Sequence, residues 1–389
     1  MSLVVREFRA KGFRSLRAIT YPVSGLDVFV GTNGVGKTNL YRALELIQSA
    51  AANRLARDVV LDGGLTSVLW AGPRRRNEQA EMTLSVGLTD PEGGSAGVYR
   101  YEVTVGMPPQ FKGEPLSATF LFEPQIKEES VAFETGSRSV RLLDRKGPSV
   151  MVRGEDGRPA ALDIDLLSSE TVLGRLEDPG RYPELDAIRR TLLQWRFYHG
   201  LRTDAASPLR RPCPAVATPT LASDGGDLAA VFATLRHIRA DTRDLDDVID
   251  AAFPGARLDV PTPGLMASFG MVFPDFPRRV FEAPELSDGT LRFLSLAGAL
   301  LAYRLPPFIA LNEPEASLHP DLMAPLARLI AAAAERTQLW LVTHSERLAD
   351  AVVATGAGKV RTVLKQNGET RIEGLRAWGR FGDDEDEDD

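Results

Sequence analysis

A glycine-rich segment near the start of the chain has the clearest chemical signature. Residues 31–38 read GTNGVGKT, which fits the pattern G-x-x-x-x-G-K-[ST] in full. Its glycines let the backbone curl so that consecutive N–H groups point at phosphate oxygens. The side chain of Lys37 then reaches the β- and γ-phosphates of a nucleotide, and the hydroxyl of Thr38 coordinates Mg²⁺. The phosphate-binding residues predicted from this segment are Gly31, Asn33, Gly34, Val35, Gly36, Lys37, Thr38 and Asn39.

Three other motifs with polar residues follow far along the sequence. Residues 286–290 (LSDGT) place a serine and an aspartate, both good residues for a helix start, before an apolar segment. Glu313 comes directly after the apolar strand-like run FIALN, and His344 comes shortly after LWLV. Carboxylate and imidazole groups at strand ends serve in proton transfer and in sensing a ligand. Taken singly, each group also has a structural interpretation as a helix cap or a structural histidine.

The elements that position these groups can be predicted from hydrophobic spacing. LDVFV, before the glycine-rich segment, has the composition of a strand, and Leu40, Ala43, Leu44 and Ile47 after it recur at helical spacing. From about residue 265 onward, apolar strands again alternate with helices, which favours a parallel sheet covered on both faces. The predicted fold class is therefore α/β, with a mixed or parallel core sheet.

The middle of the chain has a different character. Between about residues 59 and 260 it contains alternating or aromatic strands, separated by Gly, Pro and Asp turns. Two segments there, PELDAIRRTLLQW and GDLAAVFATLRHIRA, have the pattern of amphipathic helices. No heptad pattern is sustained over several turns, which excludes a long coiled coil. We therefore expect a β-rich lobe with a helical insert.

Composition places the chain among ordinary soluble proteins. Hydrophobic residues make up 43% and charged residues 25% of its 389 residues, and no apolar run approaches the ~20 residues that span a membrane. Cys213 is the only cysteine, so we expect neither an intrachain disulfide nor a cysteine-cluster metal site. These observations predict a cytoplasmic protein that does not bind membranes.

The net charge of −7 comes entirely from the end of the chain. Residues 383–389 are all acidic. Without these seven, the chain has 46 acidic and 46 basic side chains. The neutral body gives no whole-protein argument for binding DNA. We expect a solvated, disordered tail; the alternative is that it competes with nucleic acid for a basic surface.

In this order, the motifs resemble those of ABC-type ATPases. Residues 286–290 match the L-S-x-G-x signature, Glu313 ends a Walker B strand, SLHP is a form of the D-loop, and His344 stands at the switch position. The GFRS segment, the form G-x-N-G-x-G-K and the wording EPEASLHPDL are similar to the non-transporter branch that includes RecF, the SMC proteins and the overcoming-lysogenisation-defect ATPases. The chain is most similar to stand-alone bacterial ATPases of that branch.

The resemblance is firm over residues 1–58 and about 265–366. It implies an ATPase head built from two parts of the chain. Residues 1–58 carry the P-loop, and residues 261–375 carry the signature, Walker B, D-loop and switch histidine. Residues 59–260 are then an inserted β-rich lobe with helical segments, and residues 376–389 form the disordered acidic tail.

The resemblance also implies roles within a dimer. Two copies dock head to tail around two ATP molecules, so that the signature of one copy contacts the γ-phosphate held by Lys37 of the other. Glu313 acts as the general base, His344 senses the γ-phosphate, and Asn312 joins Thr38 in holding Mg²⁺. The residues expected to make the contact across the dimer are Ser287, Asp288 and Gly289.

Several residues depart from the family pattern or are difficult to place. Asn312 stands where Asp is usual, but its carbonyl oxygen still accepts a hydrogen bond, so we expect slow Mg²⁺-dependent hydrolysis. Asp288 and Thr290 stand where Gly and Gln or Glu are common. Gln79 is the nearest candidate for a glutamine loop, without a strong match. Arg14, in GFRS, either approaches the phosphates or is a solvated surface arginine.

Three functions are compatible with these motifs. The leading hypothesis is an ATP-gated dimerising ATPase that acts on DNA, in its repair or maintenance. The alternative is a regulatory ATPase of an anti-phage or toxin-like system, acting through a protein effector encoded nearby. A nucleotide-binding subunit of a transporter is disfavoured by the β-rich middle, by the absence of LSGGQ and by the SLHP form of the D-loop.

Overall fold

The computed structural model describes residues 3–74, 76, 78–92, 97–108, 120–154, 157–239, 241–376 and 379–382. The seven acidic residues of the expected tail lie outside this part of the chain. The strands are β1 (Val4–Phe13), β2 (Leu16–Pro22), β3 (Leu26–Val30), β4 (Glu81–Thr89), β5 (Val98–Gly106), β6 (Gln125–Thr135), β7 (Arg138–Lys146), β8 (Ser149–Arg153), β9 (Pro159–Ala161), β10 (Arg196–Tyr198), β11 (Cys213–Pro214), β12 (Arg257–Asp259), β13 (Met266–Ala267), β14 (Gly270–Val272), β15 (Phe281–Glu282), β16 (Phe308–Asn312), β17 (Gln338–Thr343), β18 (Lys359–Gln366) and β19 (Glu369–Ile372). The helices are α1 (Lys37–Ala51), α2 (Leu55–Leu61), α3 (Leu65–Val68), α4 (Val172–Arg175), α5 (Pro183–Gln194), α6 (Leu228–Thr234), α7 (Arg243–Ala252), α8 (Asp288–Leu301), α9 (Met323–Ala334) and α10 (Glu346–Ala354).

These elements form two compact units. The first unit comprises residues 1–24, 31–195 and 362–389, and the second comprises residues 25–30 and 196–361. The segment 59–260, expected from the sequence to be a single inserted lobe, is therefore divided between the two units. The reason is that α6 and α7, which follow this division, bury their apolar faces in the core of the second unit.

The first unit is built on an eight-stranded antiparallel sheet. Its strand order is β2-β1-β4-β5-β6-β7-β8-β9. Side chains of a strand alternate between the two faces, so Phe8 and Ala10 are buried on one face of β1 while Arg9 and Lys11 point to the other. Helix α1 packs on β1 and β4, and the β18–β19 hairpin places β19 beside β2.

The second unit contains the parallel sheet that the sequence predicts. Four strands pair in the order β10-β16-β17-β3, all parallel. The apolar runs of β16 and β17 are buried, as strands covered on both faces must be. Helix α8 precedes β16, α9 follows β16 and α10 follows β17, and all three helices contribute apolar side chains to the core of this unit. The expected α/β class, with a parallel core sheet and a β-rich lobe, is confirmed.

Candidate functional site

The glycine-rich segment connects β3 to α1, as predicted, and its geometry requires glycine. Gly34 and Gly36 have φ angles of 81° and 101°, in the left-handed region that L side chains rarely adopt. A Cβ atom at Gly36 would lie 1.9 Å from Oγ1 of Thr370. A Cβ atom at Gly31 would lie 2.5 Å from the carbonyl oxygen of Val363. The glycines therefore serve both the backbone turn and the close approach of the β18–β19 hairpin.

Lys37 lies at the start of α1, buried against this loop. Its ammonium group donates hydrogen bonds to the carbonyl oxygens of Gly31 (2.5 Å) and Thr32 (2.9 Å). The charge is thereby positioned over the concave side of the segment, beside the N-terminus of a 15-residue helix. Thr38 is exposed in the first turn of α1. Both residues thus stand in the first turn of α1, where the sequence predicts that phosphate and Mg²⁺ bind.

A buried threonine far along the sequence supports the loop. Oγ1 of Thr370 donates a hydrogen bond to the carbonyl oxygen of Val35 (2.7 Å). The same Oγ1 atom lies 2.6 Å from Oγ of Ser15. Ser15 Oγ also accepts a hydrogen bond from the side-chain amide of Asn39 (2.7 Å). Thr370 lies 335 residues from Val35 and belongs to no motif, so its role cannot be predicted from local sequence.

Arg14 is partly buried and paired in the same unit. One of its terminal nitrogens donates to Oδ2 of Asp62 at 3.0 Å, and the other lies 3.5 Å from Oδ1 of Asn39. Its backbone is strained, with a φ of 48°. The guanidinium group is therefore held close to the first turn of α1 by specific partners.

In the second unit, parallel strands bring two polar strand ends, Asn312 and Thr343, to one edge of the sheet. Asn312, the last residue of β16, is in register with Val342 of β17, and Thr343 is in register with Val30 of β3. Val30 directly precedes the glycine-rich segment in the sequence. The residues after these strands, Glu313 and His344, therefore lie at the carboxyl edge of this sheet. Ligands bind at this carboxyl edge in open parallel sheets.

Glu313 is held in a strained conformation at this edge. Its φ is 50°, in the left-handed region, and its backbone N–H donates to the carbonyl oxygen of Val342 at 2.8 Å. The buried guanidinium of Arg292 donates to the carbonyl oxygens of Glu313 (3.1 Å), Pro314 (3.4 Å) and Leu201 (3.0 Å). The carboxylate itself is about 39% exposed. Strain of this kind is maintained by surrounding contacts and concentrates at functional sites.

A second carboxylate, buried beside Glu313, organises the histidine. Oε1 of Glu315 accepts hydrogen bonds from Oγ1 of Thr343 (2.5 Å) and from the backbone N–H of His344 (3.2 Å). Nδ1 of His344 lies 3.3 Å from that oxygen and 3.8 Å from Oε1 of Glu313. The imidazole is thus placed between two carboxylates. Glu315 is the second glutamate of EPE, but that pattern alone does not mark it as a functional residue.

Asn312 retains an acceptor suited to a hydrated cation. Its Oδ1 atom is buried and has no hydrogen-bond partner among the residues that the structure describes. A buried amide oxygen without a partner is costly, so its presence at a functional edge points to a ligand or ordered water. Mg²⁺ prefers oxygen ligands and keeps several of its waters, each of which is a donor for such an oxygen. Asn312 therefore fits a magnesium site.

The signature segment forms a capped helix start. Ser287 is the N-cap of α8, and its Oγ accepts the backbone N–H of Thr290 at 3.1 Å. Asp288, where the family commonly has glycine, pairs with Arg210, whose terminal nitrogen lies 2.7 Å from Oδ1. Arg210 also donates to the carbonyl oxygen of Leu286 at 2.8 Å. The negative charge of Asp288 is therefore neutralised by an arginine that the sequence analysis did not connect to the signature.

A groove of about 360 Å³ in the second unit joins several of these groups. Asp288 lines one part of it, and Asn312 and Glu313 line another. Gly289 lies close to this region too, since a Cβ atom there would lie 3.0 Å from the carbonyl oxygen of Ser317 in the D-loop. The second unit thus presents its Walker B end, its D-loop and its signature residue on one concave surface.

Comparison with known proteins gives a family match for most of the chain. A model of the family described as "AAA domain, putative AbiEii toxin, Type IV TA system" matches residues 28–350. The DNA replication and repair protein RecF of Rhodococcus erythropolis is 29% identical over 97 residues, and this match spans only 25% of this chain and 24% of that RecF. In the part of the chain that the structure describes, no helix is long and apolar enough to cross a membrane.

Two solved structures share the fold over nearly the whole chain. The SMC head bound to the C-winged helix domain of ScpA gives a TM-score of 0.53 at 16% identity, covering 95% of this chain and 97% of that one. The Smc head with an extended coiled coil bound to the C-terminal domain of ScpA, from Pyrococcus furiosus, gives a TM-score of 0.52 at 12% identity, covering 95% and 96%. At such low identity these likenesses show the fold alone.

Proposed function

We propose that the chain, which belongs to the AAA-domain family whose model matches residues 28–350, is an Mg²⁺-dependent ATP hydrolase of the RecF/SMC-like ABC class that dimerises around ATP. The observation that carries the proposal is the strained Glu313, fixed by Arg292 and Val342 at the sheet edge where His344 also lies. A rigid, partly exposed carboxylate is what the activation of a water molecule requires.

Each residue of the site has a distinct role in the proposed reaction. Lys37 and the N–H groups of the glycine-rich segment hold the β- and γ-phosphates. Glu313 orients the attacking water and accepts its proton, while His344 contacts the γ-phosphate and responds to its loss. Thr38 and Asn312 would hold Mg²⁺, which neutralises charge on the phosphate oxygens. Arg14 keeps the first turn of α1 in place through Asn39.

The signature segment supplies the contact between copies. The N-terminus of the 14-residue α8, with Ser287, Asp288 and Gly289, presents N–H groups and a hydroxyl to the γ-phosphate held by the other copy. A head-to-tail dimer with two equivalent ATP sites follows, and hydrolysis releases it. The proposal explains why an N-cap serine and a P-loop lysine, 250 residues apart in sequence by their numbering, belong to one reaction.

Trapping the dimer tests this mechanism. We expect Glu313→Gln to bind Mg-ATP without hydrolysing it and to shift from monomer to dimer in size-exclusion chromatography with light scattering. Glu335→Gln, at an exposed glutamate at the end of α9, is the matched control and remains as active as the wild type. A Glu313→Gln protein that stays monomeric at saturating Mg-ATP would exclude the dimer.

The macromolecule on which the ATPase acts is DNA in our leading proposal, in repair or maintenance, supported by the RecF match. The family description favours a second candidate, a regulatory ATPase that acts through a protein effector encoded nearby. A titration of duplex DNA with and without ATP, across salt concentrations, separates the two. DNA binding predicts an affinity that falls steeply with salt, and the absence of such binding favours the protein effector.

A further inference from the structure

A pocket of about 440 Å³ lies in the first unit, and its lining residues do not include those of the glycine-rich segment. One wall is the face of the eight-stranded sheet that carries Arg9 and Lys11 of β1. The other wall is formed by β19 and the turn after it. The volume falls within the range of ordinary small-molecule pockets, about 300–1,000 Å³. None of the roles proposed above uses this pocket.

The side chains on the sheet wall are arranged by strand register. Arg9 of β1 stands opposite Thr20 of β2 and Ser85 of β4, and Lys11 stands opposite Thr83. Because neighbours in register share a face, Arg9 with its two hydroxyl neighbours forms one row across the strands, and Lys11 with Thr83 forms the next row. Five basic side chains line the pocket against the two carboxylates Glu102 and Glu369. The basic residues are Arg9, Lys11, Arg17, Arg371 and Arg376.

Ser85 is the most informative residue of this wall. It is about 1% exposed, lines the pocket, and its hydroxyl oxygen has no hydrogen-bond partner among the described residues. A buried hydroxyl without a partner costs free energy that a packed alanine would not. Its position between Arg9 and Glu102 in the strand register places a neutral hydrogen-bonding group among charged neighbours. Such a group is suited to an anionic ligand.

The opposite wall connects the pocket to the P-loop. Glu369 accepts a hydrogen bond from Arg17 (2.8 Å) and lies 3.4 Å from a terminal nitrogen of Arg371. The next residue, Thr370, also lines the pocket and donates to the carbonyl oxygen of Val35 in the P-loop. An anion that pairs with Arg17 and Arg371 competes with Glu369 for these two arginines. It thereby changes the contacts of β19, the strand whose Thr370 supports the P-loop.

We propose that this pocket is a binding site for a small ligand carrying a phosphate group, and that its occupation changes the affinity of the P-loop for ATP. Guanidinium groups match the geometry of phosphate oxygens, and serine and threonine hydroxyls complete the set of donors. The apolar side chains Ile19 and Leu375 in the same lining receive an uncharged part of the ligand. The effect on ATP rests on the proposed function, whereas the binding site does not.

Binding is tested on the full chain with the P-loop disabled by Lys37→Ala. We expect ribose 5-phosphate to bind this variant in isothermal titration calorimetry, and Lys11→Glu in that background to weaken binding at least about tenfold. Arg138→Glu, at an exposed position on β7, is the matched control and leaves the affinity unchanged. Inorganic phosphate is titrated in parallel. Equal affinity for the two ligands identifies phosphate itself as sufficient, and tighter binding of the sugar phosphate identifies an organic phosphate.

A second variant distinguishes a specific loss of binding from misfolding. Ser85→Ala removes an unpaired hydroxyl and so should not lower the melting temperature, yet we expect it to weaken ribose 5-phosphate binding. The proposal is overturned if Lys37→Ala alone abolishes binding, which would make the P-loop the only phosphate site. It is equally overturned if Lys11→Glu and Arg138→Glu bind alike, which would mean an adventitious ion only.

Coupling to the P-loop is measured separately with the wild-type chain. We expect saturating ribose 5-phosphate to change the Kd for a fluorescent ATP analogue by at least about fivefold, at the lower end of ordinary coupling between sites. Thr370→Val should retain ribose 5-phosphate binding and lose this effect. An unchanged Kd for the analogue in the wild type overturns the coupling. Failure of the wild type to bind the analogue at all would instead contradict the proposed function and leave the binding result standing.

Discussion

Thr343 donates a 2.5 Å hydrogen bond to Glu315, and the same carboxylate oxygen accepts the backbone N–H of His344. A single buried side chain thus joins the end of β17 to the turn after β16. The imidazole of His344 takes its place beside Glu313 because this connection fixes the backbone on both sides. Glu315 is therefore a positioning residue for the proposed reaction, although it makes no contact assigned to ATP.

Removing the Glu315 carboxylate should impair hydrolysis more than ATP binding. Glu315→Ala leaves the hydroxyl of Thr343 and the N–H of His344 without their acceptor, which lowers the free energy of unfolding by about 1–3 kcal/mol. We expect kcat to fall and the Kd for ATP to stay within about twofold, since Lys37 belongs to a different unit. Chemical unfolding and single-turnover kinetics measure the two effects. Unchanged kcat in a folded variant would show that His344 does not need this support.

Arg292 should matter for the same reason at the Glu313 backbone. Arg292→Met keeps a long side chain but removes the donors to three carbonyl oxygens, so the strained turn at Glu313 relaxes. We expect kcat to fall by about 10- to 100-fold, the size of effect that small misplacements of a catalytic group produce. Arg328→Met, at an exposed position on α9, is the control. Full activity of Arg292→Met would contradict the role assigned to the strain.

The Asp288–Arg210 ion pair predicts a rescue by double substitution. In Arg210→Met the carboxylate of Asp288 loses its partner and repels the γ-phosphate of the other copy, so ATP-dependent dimerisation should weaken at least about tenfold. Adding Asp288→Gly removes the unpaired charge and should restore dimerisation. Light scattering across protein concentrations in Glu313→Gln backgrounds measures both steps.

A control variant and the double variant together test whether Arg210 acts by neutralising Asp288. The neighbouring substitution Arg211→Met, at an exposed arginine, should leave dimerisation unchanged. If the double variant dimerises no better than Arg210→Met alone, Arg210 acts by supporting the loop through Leu286 and not by neutralising Asp288.

The parts of the site that the sequence predicts are those with local patterns. The apolar runs of β16 and β17 predict buried parallel strands, and parallel strands necessarily place Glu313 and His344 at one edge. The P-loop is equally local, since its glycines at positions 31, 34 and 36 lie within six residues of one another. The α/β class follows from the same alternation of strands and helices.

The supporting residues could not be predicted in this way, because their partners are distant in sequence. Arg292 is a lone charge inside the apolar helix LRFLSLAGALL, and its acceptors include the carbonyl of Leu201, 91 residues away. Thr370 has no motif and supports Val35 across nearly the whole chain. The division of residues 59–260 between two units depends on distant contacts in the same way, since only packing shows that α6 and α7 join the second core.

Asn312→Asp should tighten the response to magnesium. The substitution restores a negative charge where the family usually has one, and keeps an oxygen at the position of the unpartnered Oδ1. We expect the Mg²⁺ concentration for half-maximal ATP hydrolysis to fall several-fold, about the effect of one added ligand charge. Asn367→Asp, in the exposed turn between β18 and β19, adds the same charge elsewhere and serves as control. An equal shift in both variants would mean that only net charge matters.

The Arg17–Glu369 pair predicts a dependence of stability on pH. The hydrogen bond and charge of Arg17 hold the pKa of the Glu369 carboxyl below its usual range. A carboxyl with a lowered pKa in the folded state stabilises the fold above its unfolded pKa, about 4.3, and this contribution is lost as the pH falls through the folded pKa. The melting temperature of Glu369→Gln should therefore lie below that of the wild type near neutral pH, and the difference should shrink in acid. Differential scanning calorimetry from about pH 7 to about pH 3 measures this trend, with the exposed Glu335→Gln as a control that shows none. A difference that stays constant or grows in acid would show that the pair does not stabilise β19 against β2.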